Sequence, residues 1–239
     1  MKTPRSLPVP AFLVVTVFLL AGCADGPSPM PVEPDVEALA AEGLSLAQHP
    51  GAGQAERQSS DVYWFPEEPL VEVEGAVGQL VRTDGGVGYN LRTLELVPGH
   101  AISIWWVIFN NPEECDGDCG IEDLFVDYPV DLTPNPDVNP AVMSAGGHVV
   151  GGSGRAGFAG HLIEGQITTE HPAFLDGPGL TDARGAEIHL VVRSHGPLVP
   201  AEMPGLIHTF EGGCQVFLDA GVVPEEEGEC ADLQFAVFK

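Results

Sequence analysis

The densest chemistry in the chain lies at residues 113–123, where Glu113, Glu114, Asp116, Asp118, Glu122 and Asp123 surround Cys115 and Cys119. Carboxylates on a loop are hard oxygen ligands of the kind Ca²⁺ takes, which makes Asp116, Asp118, Glu122 and Asp123 candidate ligands. The Asp116-Gly117-Asp118 start lacks the third ligand and the glycine that continue an EF-hand loop. Read plainly, the segment is a solvated acidic loop pinned by a disulfide. A second set of candidates is histidine: His100, His148, His161, His171, His189, His195 and His208 all follow the tether. Histidines from different strands can converge on Cu or Zn, and His148, His161, His189 and His195 are the candidates here. His189 and His195 have equal parity, so on one strand they share a face, roughly 20 Å apart at the usual rise per residue. One ion bridges that distance only if the chain turns at residues 194–197. No H-x-H pair and no H-E-x-x-H occurs, and scattered polar histidines are the plain alternative.

Cys115, Cys119, Cys214 and Cys230 form an even set in a chain that reads as exported, which points to two disulfides. Cys115–Cys119 with Cys214–Cys230 is the preferred pairing, each closing a local loop. A four-Cys zinc site is the alternative, but the spacings are not the paired knuckles of a zinc ribbon. Gly152-Ser153-Gly154-Arg155-Ala156-Gly157 matches G-x-G-x-x-G letter for letter. A dinucleotide site needs a helix after it; FAGHLIEGQI reads as a strand, so this is a glycine-rich turn. No G-x-S-x-G elbow is present, and acids are too numerous for any carboxylate pair to stand out. The residues define no catalytic constellation.

The N-terminus reads as a processing segment, 1–22. Lys2 and Arg5 precede an uncharged run, 11–22, that is too short to span a bilayer and suits a signal peptide. It ends Leu20-Ala21-Gly22-Cys23, which resembles the lipobox of bacterial lipoproteins. The resemblance implies a lipid on Cys23 and a membrane anchor in the bacterial cell envelope, extracytoplasmic. Ala24 after the cysteine implies the outer membrane. Removing 1–22 deletes two of the nine basic residues and none of the 35 acidic ones, so the net charge goes from −26 to −28. A charge of this sign excludes a general electrostatic grip on nucleic acid and is repelled by anionic lipid. What remains open as partner is an envelope protein or a ligand.

These residues must be held by something. Residues 23–60 are rich in Pro, Ala, Gly and Glu and read as an acidic tether, with a short helix possible at 35–48 and flexible linker at 51–60. Residues 61–239 suit a single domain. Its pattern is short apolar runs between Gly, Pro, Asn and Asp, predicting strands at 71–81, 88–96, 100–109, 142–150, 157–167, 187–193, 215–218 and 232–238. Thr83-Asp84-Gly85-Gly86 is a hairpin signal. In HAISIWWVIF, Ile102, Ile104, Trp106 and Ile108 share one face and Trp105, Val107 and Phe109 the other, which predicts an inner strand covered on both sides. Four prolines make 128–140 a loop or edge excursion. The expected fold is all-β, an antiparallel sandwich or barrel of about eight strands.

Four stretches, GHAISIWWVIFNNPEEC, GHVVGGSGRAGFAGHL, RGAEIHLVVRSHGP and GECADLQFAVF, together resemble a group of uncharacterised exported bacterial proteins. AEIHLVVRSHGP also resembles the His-containing strand of CHRD domains, a β-rich extracellular module. The resemblance covers about residues 70–238 and departs from the CHRD pattern at His189, which is followed by Leu190 and Val191. It implies a β fold and no established activity. Anchor, spacer, β domain and missing catalytic motif together suggest a non-enzymatic binding or surface module. A Ca or Cu/Zn protein and a hydrolase built from distant residues are the alternatives.

Overall fold

The computed structural model describes residues 54–65, 69–167, 177–210 and 231–239, with backbone only at 202 and 204. Contacts divide the chain into 1–47 and 48–239, and every described residue belongs to the second unit. Its elements are β1 (Glu56–Ser60), β2 (Tyr63–Trp64), β3 (Val77–Thr83), β4 (Gly86–Thr93), β5 (His100–Phe109), β6 (Phe125–Asp127), β7 (Asp131–Pro134), β8 (Pro140–Val149), β9 (Ala156–Ile163), β10 (Glu187–Pro197), α1 (Met203–His208) and β11 (Asp232–Phe238).

Every strand pairing among the described residues is antiparallel. One sheet has the order β1-β3-β4-β9, the second β2-β11-β10-β5-β8, and β6-β7 forms a small ribbon. The turn Asp84-Gly85 joins β3 to β4, with Thr83 opposite Gly86, as the hairpin signal requires. Alternation puts Leu80, Tyr89, Leu91, Phe158 and Leu162 of the first sheet against Ile102, Ile104, Trp106, Ile108, Leu190 and Phe238 of the second, in one buried cluster. Tyr89 meets Trp106 edge-on at 4.9 Å, and its hydroxyl donates to the Ala145 carbonyl at 3.0 Å. The architecture is therefore an all-β sandwich with open sheets, not a closed barrel.

The other face of β5 is covered too. Trp105 and Phe109 pack with Cys119, Leu124, Phe125, Val138 and Val142 in a second buried cluster. The cover comes from the connection between β5 and β8. Each buried tryptophan removes roughly 200 Å² from water, on the order of 5 kcal/mol before entropy is counted.

A buried cation ties three separate segments together. Arg82 is wholly buried. Its Nη1 donates to the carbonyls of Ala183 and Ala186, its Nη2 to that of Phe238, and its Nε to Gln58 Oε1. A guanidinium has five N–H donors in a fixed fork, which suits it to main-chain carbonyls arriving from several directions. Burial lowers its pKa from the ordinary arginine value, while nearby Glu56 and Asp182 oppose that shift.

Several boundaries differ from expectation. Glu56–Ser60, read as linker from its composition, is a strand paired in register with β3 from Glu56↔Arg82 to Ser60↔Gly78. It carries no apolar residue because it is an exposed edge, held by main-chain bonds rather than burial. The domain thus begins before residue 61. In the run 71–81 the strand starts only at Val77, after a turn at Gly75 with φ of +86°. The last expected residues of 157–167 lie beyond β9, which stops at Ile163 before the Glu164-Gly165 turn. The proline-rich 128–140 contains β7, an exposed edge strand. α1 settles on β8 at Gly147, where a Cβ would collide with the Ile207 carbonyl oxygen. The expected strand at 215–218 and helix at 35–48 lie outside the described residues, as do the signal peptide and the tether up to residue 53.

Candidate functional site

The outer face of the five-stranded sheet carries the polar groups. β10 pairs with β5 so that Glu187 faces Phe109, His189 faces Val107, Val191 faces Trp105 and Arg193 faces Ser103. Alternation makes Glu187, His189, Val191, Arg193 and His195 one row, beside Ser103, Trp105, Val107 and Phe109. At one end His189 Nε2 lies 2.7 Å from Glu187 Oε1, and its ring packs on Phe109 at 5.0 Å. In the middle Arg193 Nη1 bonds Asp232 at 2.7 Å, its Nε donates to the Phe210 carbonyl, and its guanidinium lies 4.0 Å over the Phe210 ring. At the far end Trp105 Nε1 donates to Ser103 Oγ at 2.7 Å, and the same oxygen shares a 2.6 Å hydrogen bond with His195 Nε2. Ser103 is wholly buried, so this serine–histidine contact orders the wall and offers a substrate carbonyl no approach.

Over this face lies a pocket of about 240 Å³. Its walls are aromatic: Phe65, Trp105, Phe109, Phe210 and Phe235. Trp105 and Phe210 meet edge-to-face at 5.1 Å, and Phe65 and Phe235 do so at 5.9 Å. The opposite wall is the acidic loop, through Cys119, Gly120, Ile121 and Leu124. Among the described residues, His189 and Asp232 supply the polar side chains of the lining.

The acidic loop is built as a wall. Cys115 and Cys119 are disulfide-bonded, with Cα atoms 5.3 Å apart. Asp123 is buried, and its two oxygens accept the N–H groups of Asp116 (3.0 Å) and Gly120 (2.8 Å). That arrangement uses the carboxylate to close the loop. Asp116, Asp118 and Glu122 are exposed. Asp118 pairs with Lys239, whose hydrogen bond holds the carboxyl below its ordinary range and raises the lysine in turn. Among the described residues, no three His, Cys, Asp or Glu side chains gather where they could hold a metal ion.

The histidine candidates separate. His189 and His195 share the outer face, as parity requires, but each has its own partner. His148 is exposed on β8 with its ring against Phe158, and His161 is exposed on β9 in the other sheet. Gly152–Gly157 forms a turn running into β9, a strand. Cys23, Cys214, Cys230 and His171 lie outside the described residues. Reasoning from sequence passed over Glu187, Arg193, Ser103 and Asp232. The first three could have been found by extending the parity of His189 along its strand and onto β5. Phe65, Phe210 and Phe235 carried no local signal, since they meet only through the fold.

Fold and site together define a class: an antiparallel β-sandwich with an aromatic pocket on the outer face of one sheet. Comparison with family models, with curated proteins and with solved structures returns no match.

Proposed function

We propose that this chain is a lipid-anchored, extracytoplasmic binding module, and that its ligand sits in the outer-face pocket. The observation that carries the reading is the pocket itself: a hollow of about 240 Å³ walled among the described residues by five aromatic rings, with His189 and Asp232 in its lining. Concave, mostly apolar sites with a few placed polar groups are where small molecules bind. Cytoplasmic export and the membrane partner rest on the sequence, on Lys2, Arg5, the run 11–22 and the lipobox cysteine Cys23.

Two measurements test the reading. Mass spectrometry of the N-terminus of envelope-purified protein is expected to find a diacylated or triacylated Cys23; an unmodified N-terminus at another residue refutes the anchor. Organic extraction of that same protein is expected to release a stoichiometric small molecule. It should be missing from the Val107→Trp variant, in which an indole fills the hollow. Equal recovery from both proteins refutes the pocket as the binding site.

A further inference from the structure

We infer that the pocket selects a small, uncharged aromatic ligand bearing an N–H or O–H donor, in the class of phenols, indoles and aryl amines. This rests on the binding reading above and narrows it to a ligand chemistry.

Size sets the first limit. A dry apolar cavity of about 150 Å³ takes benzene, whereas sites for drug-sized ligands run from about 300 Å³ upward. At about 240 Å³ the pocket suits one fused bicyclic ring system. Five aromatic side chains line it, and two pairs of them already meet edge-to-face. Aromatic rings favour that geometry with one another, so a flat ring gains contacts there that an alkyl chain does not.

Polarity sets the second limit, through donors that are already used. The Trp105 indole N–H is given to Ser103. The Gly120 main-chain N–H is given to Asp123. As a carboxylate, Glu187 can only accept, so His189 Nε2 carries the proton and donates it there. In the neutral ring that leaves the lone pair on Nδ1, which has no hydrogen bond among the described residues. Asp232, whose Oδ1 takes Arg193 Nη1, is also an acceptor. The lining therefore holds acceptors in want of a donor. An anionic ligand would meet those acceptors and a chain of net charge −26.

Three probes of one ring size test this on the full chain, by quenching of tryptophan fluorescence: 2-naphthol, naphthalene and 2-naphthoate. 2-Naphthol is expected to bind one-to-one about ten-fold tighter than naphthalene, the worth of one net hydrogen bond, with 2-naphthoate weakest. His189→Phe keeps a ring against Phe109 but removes the acceptor. It should erase the ten-fold advantage of 2-naphthol over naphthalene, read as the ratio of the two dissociation constants. Val107→Trp inside the pocket and Ile121→Trp at its exposed rim should each abolish binding of all three. If 2-naphthoate binds as tightly as 2-naphthol, or 2-naphthol no better than naphthalene, and the rim variant still blocks them, the ligand class is wrong and the pocket reading stands. If no probe binds, or neither filling variant changes binding, both fall.

Discussion

Glu187 Oε1 lies 2.7 Å from His189 Nε2, two residues along the same outer row of β10. Both side chains are largely buried, at 6% and 13% exposure, so this contact is sheltered from water and fixes one tautomer. The carboxylate thus acts on the pocket from one residue removed: it decides which nitrogen of His189 remains an acceptor.

Glu187→Ala is expected to release that constraint. In the parent protein, ¹⁵N spectra of the neutral imidazole should show the Nε2–H tautomer. In the variant both tautomers should be populated. Urea unfolding should show a loss of about 1–3 kcal/mol, the usual cost of stripping a partner from a buried polar group. An unchanged tautomer in the variant would mean that another group orients the ring.

Arg82→Met leaves the carbonyls of Ala183, Ala186 and Phe238 and the amide of Gln58 without their common donor. The expected loss is at least about 3 kcal/mol, since each stranded buried group costs about 1–3 kcal/mol and the costs do not simply add. Arg82→Lys should recover little, because an ammonium cannot reach four acceptors in fork geometry. The penalty should persist in high salt, which screens buried groups weakly.

Tyr89 gives a pH prediction with a definite sign. Burial pushes its phenol well above the ordinary tyrosine range. The fold favours the neutral form, so the stability it adds is fully present below pH about 10 and is lost as pH rises above that. Absorbance at 295 nm should show one of the three tyrosines ionising only with unfolding. Tyr89→Phe should remove that alkaline step while costing about 1 kcal/mol at pH 7, through the lost bond to Ala145. A normal titration of all three phenols in the folded protein would contradict it.

The Cys115–Cys119 bridge closes a very short loop, so replacing both with serine should cost only about 2 kcal/mol by chain entropy. The melting temperature should fall by roughly 4–8 °C for a domain of this size. Probe binding should weaken more than stability, because Cys119, Gly120 and Ile121 are wall residues. Equal binding in the serine variant would show that Asp123 alone holds the loop in place.

The strands that could be read from the sequence are those whose alternation faces a core. HAISIWWVIF announced both of its buried faces, and β5 spans those ten residues. In DLQFAVF the alternation of Leu233, Phe235 and Val237 marked the strand β11, but its buried row is the other one, Gln234, Ala236 and Phe238. Glu56–Ser60 was hidden because an exposed edge strand needs only main-chain partners, and none of its side chains had to be apolar. The site was less legible. The acidic loop drew attention through its carboxylates, yet its place in the pocket is given by Cys119, Gly120 and Ile121, while Asp123 is spent on main-chain N–H groups. The aromatic walls come from segments as far apart as Phe65 and Phe235, and no local spacing reports such a meeting.

The edge strand β1 has one more consequence. Gln58 Nε2 donates to the carbonyl of Lys239, and the Val237 N–H donates to Ser60 Oγ, so β1 and the end of β11 lie at neighbouring points. Adjacent ends are what circular permutation and insertion into a host protein require. A short glycine-serine bridge from residue 239 to residue 56, with new ends cut at the Asp84-Gly85 turn, would rewire the order of the strands while leaving every pairing of the sandwich intact.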